Sequence, residues 1–395
     1  MPVADSKLPW LILRLLPEMT RVRFYTLFDH FQSPRLALGA GAAEIASLRG
    51  FDSALARKVL EAPRTVPVQR EQELMAQHDA RLVTIEDEEY PENLRKSSFP
   101  PPMIYVRGTL HADDRYAIAM VGSRHSTVYG RSVAQQMAGR LAAVGMTVIS
   151  GFARGIDSAA HEAALRAGGR TIGVLGNGLA VCYPAENKKL GDEIVANGAL
   201  VTEYPMETPP DRYNFPERNH LIAAMSLGTV VVEAAEKSGA LITANEALDE
   251  NRFVFAVPGD VNRLNSRGTN KLIQAGARLV QNANDVLLEL KDQLRGFIKE
   301  EALAEAENAD LPQVPAPATA KPGAKTSRKS TPSKLTEDEG YVLEFIQHEP
   351  QYFDVLVSKV DGSRLSVPKL SSVLLALELK QRIKQLPGKL YAALD

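Results

Sequence analysis

Apolar residues recur at three-to-four spacing over residues 8–16, 20–31, 42–48 and 53–60, with Gly39, Gly41 and Gly50 between the runs. Such spacing puts the apolar side chains on one face of each segment and predicts four amphipathic helices. Residues 1–80 therefore read as a helical domain without strand signals. Residues 81–115 read as a connector, stiffened by Pro100-Pro101-Pro102, with one short strand at Ile104-Tyr-Val106.

Beyond residue 115 the pattern changes. Continuous apolar, β-rich runs at residues 116–121, 146–150, 171–175, 199–202, 229–233, 253–257 and 278–280 alternate with helical runs. The helical runs are residues 129–143, 157–167, 186–196, 217–226, 241–249 and 269–275. Strands apolar on both faces need cover on both faces, and the alternation with helices supplies it. Residues 116–298 are thus expected to form an α/β domain with a doubly wound, mostly parallel, Rossmann-like sheet. Residues 299–334 read as a disordered linker, first acidic and Ala-rich. Its second half carries Lys321, Lys325, Arg328, Lys329 and Lys334 among Pro, Ser, Thr and Gly, too polar to bury a core. Residues 335–395 fold again: Thr336-x-x-Glu339 opens a first helix as a capping box. Helices at 353–360 and 367–380 follow, then two strands around Pro387-Gly388, which together describe a winged helix.

Composition narrows the function. Lys plus Arg is 46 and Asp plus Glu 48, a net charge of −2, so a polyanion partner would need the basic groups gathered on one surface. Hydrophobic content of 45% and charged content of 24% suit a globular protein and exclude a wholly disordered one. Cys182 is the single cysteine, which excludes an internal disulfide and a cysteine-based zinc site within one chain. The longest uncharged run, residues 171–185, is interrupted by Gly, Asn and Pro and falls short of the roughly 20 apolar residues of a membrane span. With no basic-then-apolar leader at residues 1–14, the expected location is the cytoplasm.

Candidate chemistry lies where the strands end, because ligands of open α/β sheets bind at the carboxyl edge. In Val121-Gly122-Ser123-Arg124, the glycine permits close backbone approach, the serine can donate, and the guanidinium can fork two phosphate oxygens. A plain strand-to-helix turn with a surface arginine explains the same four residues. Ser150-Gly151-Phe152-Ala153-Arg154-Gly155-Ile156-Asp157 offers backbone amides to an anion, with Asp157 as a helix cap and His161 four residues on along the same face. That pair suits local stabilisation better than acid–base work. Gly176-Asn-Gly178, then Tyr183 with Lys188 and Lys189, make a third cluster. Asn214 through His220, with Lys237-Ser238-Gly239, makes a fourth; Val257-Pro-Gly259 and Asn265-Ser266-Arg-Gly-Thr-Asn270 follow. Phe152, Tyr183, Tyr213 and Phe215 lie close by. No Ser/His/Asp set and no metal-ligand cluster is visible, and neither the dinucleotide fingerprint nor the P-loop is present. Catalytic residues, cofactors and metals are therefore not expected. Several phosphate-grade loops with aromatic platforms fit an extended single-stranded nucleic acid better than one small nucleotide.

Together these motifs resemble the DNA processing protein A family (DprA, also called Smf). The resemblance runs through Val121-Gly-Ser-Arg124, Ser150-Gly-x-Ala-x-Gly-Ile-Asp157, Tyr183-Pro-x-x-Asn187 and Phe215-Pro-x-Arg-Asn219. It continues through Glu233-Ala, Lys237-Ser-Gly239, Leu241-Ile-Thr243, Val257-Pro-Gly259, and Ser266 through Asn270-x-Leu-Ile-x-x-Gly-Ala277. Ile45-Ala-Ser-Leu-Arg-Gly-Phe51 by itself resembles a helix-hairpin-helix or SAM-like unit, a form that grips DNA backbones through its glycine turn or, at least as often, only packs; the family resemblance implies a SAM-like N-terminal domain and a winged-helix C-terminal domain. It implies a non-enzymatic mediator that binds and protects incoming single-stranded DNA, loads the recombinase RecA during natural transformation, and dimerises through the Rossmann-like domain. Carried across, Gly122, Ser123 and Arg124, then Gly151, Phe152, Ala153 and Gly155, become DNA-binding. Lys188, Arg218, Asn219, Ser238, Gly239, Ser266 and Asn270 complete that set, with Leu272 and Ile273 at the dimer interface. Three positions depart from the family pattern. His220 replaces a second arginine, which predicts a basic contact that is lost or made pH-sensitive; Ala240 replaces a serine; Gln381 stands where the wing has glycine. The competing expectation is a nucleotide-binding or phosphoribohydrolase-like enzyme, disfavoured because Val257-Pro-Gly-Asp260 is not its Pro-Gly-Gly-x-Gly-Thr run. The third-helix segment, residues 369–379, has few basic groups, so the winged helix is expected to bind protein rather than read DNA sequence.

Overall fold

The computed structural model describes residues 4–298, 336–346, 351–360, 364–365, 367–380, 382–386 and 390–393. The expected linker at 299–334, Gln381 and Pro387-Gly388 lie outside the described residues. The chain divides into two compact units, Met1–Gln313 and Val314–Asp395.

The first unit begins with six helices: α1 (Leu8–Leu15), α2 (Arg21–Phe31), α3 (Pro34–Leu38), α4 (Ala42–Ala46), α5 (Ser53–Thr65) and α6 (Val68–Gln77). Caps set their starts. Thr20, Ser33 and Asp52 accept hydrogen bonds from the Arg23, Arg35 and Leu55 amides. Then come β1 (Ala80–Thr84), α7 (Glu92–Arg95), β2 (Met103–Gly108) and β3 (Ala117–Val121). Next are α8 (Val128–Ala143), β4 (Thr147–Ser150), α9 (Ile156–Arg166), β5 (Thr171–Val174), α10 (Lys188–Asn197) and β6 (Gly198–Thr202). The unit continues with α11 (Asn214–Ala224), β7 (Gly228–Val231), α12 (Gly239–Asp249), β8 (Phe253–Ala256) and α13 (Leu264–Gln274). It closes with β9 (Arg278–Leu279), α14 (Ala283–Glu289) and α15 (Lys291–Leu294).

All nine strands join one sheet in the order β1-β2-β6-β5-β4-β3-β7-β8-β9. From β6 to β9 every pairing is parallel, whereas β2 pairs antiparallel with both β1 and β6. The segment expected to be a connector therefore adds two strands to the sheet. β1 was missed because Ala80-Arg-Leu-Val-Thr84 is short and follows a helix without a Gly or Pro break. The α3, α6, α7, α14 and α15 segments carry no clear sequence signal either, being short or interrupted by polar residues.

Strand alternation directs Ile118, Met120, Val148 and Val230 to one face, under α8, α9 and α14. Ala117, Ala119, Val121, Ile149, Val174 and Val231 face the other side, under α11 and α12. The helical layer does not own a separate core. Trp10, Leu11, Leu13 and Phe24 belong to the same buried cluster as Leu82, Tyr105, Phe152, Leu175 and Leu200 of the sheet side. Buried Glu71 of α6 accepts from the Met206 amide (2.8 Å), and Arg14 donates to the Glu203 carbonyl (2.8 Å). At the glycine turn, Arg23 Nε donates to the Gly50 carbonyl (3.0 Å).

The second unit holds α16 (Glu337–Ile346), β10 (Gln351–Tyr352), α17 (Phe353–Lys359), α18 (Val367–Leu379), β11 (Ile383–Leu386) and β12 (Leu390–Ala393). Its sheet order is β10-β12-β11, all antiparallel. Thr336 and Glu339 form the expected reciprocal cap. Val342, Leu343, Ile346, Leu356, Leu370, Leu374, Leu377 and Ile383 make its core. This is the winged-helix arrangement the pattern predicts.

Because the helical layer and the sheet share one core, Leu11→Ala, at a fully buried position, is expected to destabilise the whole first unit by about 2–5 kcal/mol. Urea denaturation checks this. The fluorescence transition of Trp10, the only tryptophan, and the loss of exchange protection in β3–β5 should shift together.

Candidate nucleic-acid interface

The chain runs β3 to β6 towards one side of the sheet and then returns to place β7, β8 and β9 on the other. The strand order therefore reverses between β3 and β7. Loops after these two strands part in opposite directions and leave a crevice at their carboxyl ends. A cleft of about 820 Å³ occupies this place. Its walls are the β3–α8 loop (Val121 to His125), the β7–α12 loop with the start of α12 (Ala235 to Thr243), and the start of α11 with Arg212.

Arg124 stands exposed at the centre. Its guanidinium lies over the Phe215 ring, 5.0 Å from the centroid, and it pairs with no carboxylate among the described residues. Lys237 is exposed on the opposite wall, and Arg212 stacks on Tyr213 (4.7 Å) at the rim. Ser238 caps α12 by accepting from the Ala240 amide (3.3 Å), so Gly239 begins a helix whose N-terminal dipole end faces the cleft. Asn219 lines the same wall and donates to the Gly239 carbonyl (3.3 Å). Ser123 accepts from the His125 amide (3.2 Å), which folds its loop back under Arg124.

The second loop is docked onto the first. The Ile156 amide donates to Ser123 O (3.2 Å), and Gly155, at φ +82°, sits so close that a Cβ would come within 2.3 Å of that oxygen. Only glycine satisfies both demands. A smaller recess of about 150 Å³ opens between this loop, the end of β5 and the Tyr183 and Phe215 rings, whose centroids are 5.7 Å apart. Ala153 and Gly151 line it. Phe152, also in a left-handed conformation (φ +57°), is 2% exposed and packs into the core beneath. It is therefore no platform for a base; Tyr183 and Phe215 are the half-exposed rings.

Several expected contacts are structural in this geometry. Arg218 is 4% exposed: Nη1 donates to the Gly151 carbonyl (2.7 Å) and to the Val174 carbonyl. It ties the β4 loop and the end of β5 to α11. Asp157 crowds the same face of Gly151 as Arg218: a Cβ there would lie 2.7 Å from Asp157 Oδ2 and 2.9 Å from Arg218 Nη2, and Oδ2 accepts from the Ala153 amide (3.3 Å). Burial pushes its carboxyl up to about 6, against the opposing pull of Arg218. His161 is fully buried, bonded to Thr171 Oγ1 (2.6 Å), and held neutral by desolvation, its pKa lowered to about 3. The Asp157–His161 spacing thus serves two separate partners. Asn270 clamps Gly259 from both sides, accepting from its amide (3.2 Å) and donating to its carbonyl (2.9 Å), and buried Ser266 packs against the same glycine. Neither lines the cleft; Asn265 does. Lys188 is exposed at the start of α10, outside both hollows. His220 faces Glu246 (3.4 Å) and Glu250 (3.7 Å), away from the cleft, so its replacement of an arginine removes no basic group there. Leu272 and Ile273 are half-buried, with Leu272 packed on the core. Polar and aromatic cleft residues outside the expected set include His125, Tyr183, Arg212, Phe215, Lys237 and Asn265; Lys237 lies in the Lys237-Ser-Gly239 motif, but sequence gives no sign of which way it faces.

Among the described residues no group of three or more His, Cys, Asp or Glu could hold a metal, and no helix is long and apolar enough to cross a membrane.

A nine-stranded, mostly parallel sheet with a cleft at its switch point, followed by a winged helix, defines a Rossmann-like α/β protein with an appended winged-helix domain. Residues 81–291 match the family model described as DNA recombination-mediator protein A, and residues 326–389 match the DprA winged helix domain. Protein Smf of a Synechocystis species is 32% identical over 97% of both chains. The DNA processing protein DprA of Bacillus subtilis is 38% identical over 58% of this chain and 76% of its own. The crystal structure of DprA from Streptococcus pneumoniae superposes with a TM-score of 0.62 at 31% identity, over 73% of this chain and 99% of that one. The chain belongs to the DNA processing protein A (DprA/Smf) family.

Arg218→Met leaves the buried Asp157 carboxylate without its neighbouring cation. The expected loss of stability is roughly 3–5 kcal/mol. Removing the guanidinium lifts the Asp157 pKa further above its unfolded value. The added loss is then full above that raised pKa and shrinks as the proton is taken up on acidification. The variant-minus-wild-type difference in urea midpoint should therefore be larger at pH 8.5 than at pH 6.5.

Proposed function

We propose that this protein binds single-stranded DNA in the switch-point cleft and delivers it, as a recombination mediator, to the recombinase RecA in the cytoplasm during natural transformation. The observation that carries the reading is Arg124: an exposed, unpaired guanidinium lying on Phe215 between two glycine-rich loops. A guanidinium in that place forks a phosphate, and the half-exposed Phe215 and Tyr183 rings offer faces on which unpaired bases stack. Lys237 and Arg212 extend the cationic line across the cleft. The surrounding groups, Gly122, Ser123, Asn219, Ser238 and Gly239, orient amides and hydroxyls rather than supply acid–base chemistry. The proposed role is binding, without turnover.

The reading includes a homodimer. Ile242, Leu264 and Leu279 are exposed on α12, α13 and the edge strand β9, beside half-buried Leu272 and Ile273. An open sheet edge flanked by apolar groups favours pairing with a second copy. In the winged helix, Lys369 pairs with Asp338 (2.9 Å) and Lys380 with Glu339 (2.6 Å), while Leu375 of α18 is 58% exposed. Cations already neutralised and an apolar helix face suit a protein partner better than a DNA groove.

Fluorescence anisotropy with a labelled oligothymidine tests the cleft. Wild-type binding should weaken with salt and resist duplex competitor. Arg124→Ala should raise Kd roughly 10- to 100-fold, the scale of one charge-assisted contact, and flatten the log–log salt slope by about 0.7. Normal binding by a folded Arg124→Ala protein would defeat the assignment; release of free base from nucleoside monophosphates would favour the phosphoribohydrolase alternative.

For the dimer, Leu264→Asp is expected to shift the species seen by sedimentation to the monomer, with the far-UV spectrum unchanged.

A further inference from the structure

Glu233 follows β7 and is 5% exposed, yet no arginine or lysine pairs with it among the described residues. Its carboxylate accepts instead from Thr127: the backbone amide donates to Oε2 (2.9 Å) and the hydroxyl donates to Oε1. Thr127 is the N-cap of α8, and its hydroxyl accepts from the Gly130 amide (3.0 Å). One carboxylate thus holds the end of the β3–α8 loop and the first turn of the helix behind it. The contact is close enough that a Cβ at Gly130 would lie 2.2 Å from Glu233 Cδ. The rest of the loop is held from the same side. Asn265 donates to the His125 carbonyl (3.1 Å), and its own carbonyl accepts from the Ala234 amide (2.7 Å).

A buried anion beneath a loop meant to receive phosphate is electrostatically unfavourable for that ligand. Its retention needs another reason, and the helix dipole with two donated hydrogen bonds supplies the local one. We infer that Glu233 is a positioning residue: through Thr127 it fixes the loop that carries Arg124, so that the guanidinium is held over Phe215 before any ligand arrives. The inference rests on the DNA-binding reading of Arg124. It adds that part of the affinity comes from an ordered loop rather than from contacts.

The test uses the full-length chain with Glu233→Gln, Thr127→Val and Thr127→Ser. Hydrogen exchange of residues 122–130 and oligothymidine anisotropy are read for each, alone and combined with Arg124→Ala. Glu233→Gln and Thr127→Val should speed exchange in 122–130 while β4 and β5 stay protected. Each should also weaken binding roughly tenfold when Arg124 is present and not at all in the Arg124→Ala background. Thr127→Ser, which keeps the hydroxyl, should behave as wild type in both readouts. Unchanged exchange in the loop, or equal weakening in both backgrounds, overturns the inference. Should Glu233→Gln misfold, the Thr127 pair decides by the same criteria. Absence of wild-type binding to oligothymidine would defeat the DNA reading alone, and loop exchange would still decide the role of Glu233.

Discussion

The carboxyl edge of the sheet is organised around one buried cation. Arg218 reaches from α11 to the Gly151 and Val174 carbonyls, and the Asp157 carboxylate lies beside it against the same face of Gly151. Burial lowers the guanidinium pKa to about 10, chiefly by desolvation, and it remains charged at neutral pH. Three segments distant in sequence are thereby fixed to one another: the β4 loop, the end of β5 and the start of α11. α11 also carries Phe215, the ring beneath Arg124. The exposed arginine can be offered to a ligand because the buried one has settled the surface it rests on.

The division of labour between the two arginines has a physical basis. Arg218 is inside, where backbone carbonyls satisfy its donors and a carboxylate balances its charge. Arg124 is outside, open to water and resting on the π face of Phe215. The glycines between them let the loops touch. Glu233 and Asn265 brace the loop from below, so the cleft is shaped by polar contacts among loops rather than by the apolar core alone.

Much of the architecture is legible in the sequence. Apolar runs bounded by helical segments give the seven parallel strands, and Thr336-x-x-Glu339 marks the start of the winged helix, because burial and capping are local demands. β1 and the extent of the sheet were not legible, since five residues that pair with a distant strand carry no periodicity of their own. Nor was the shared core of the helical layer, which depends on Leu82, Tyr105 and Phe152 meeting α1 and α2 only after folding.

The candidate site divides along the same line. Sequence by itself determined the family, the loops that carry the cleft and the place of Arg124, because glycine, serine and arginine after a β-strand state what a phosphate-suited turn requires. Only the tertiary structure decided which of those polar residues face solvent. Arg218, Ser266 and Asn270 lie in strand-end motifs of the same kind as those of Arg124 and Ser238, yet they turn inward, as apolar Phe152 does, while His220 turns towards Glu246. A motif fixes what a residue can bond to. Whether the partner is a ligand or a backbone carbonyl depends on which segments the sheet brings alongside it, and strand order is set by the packing of the whole.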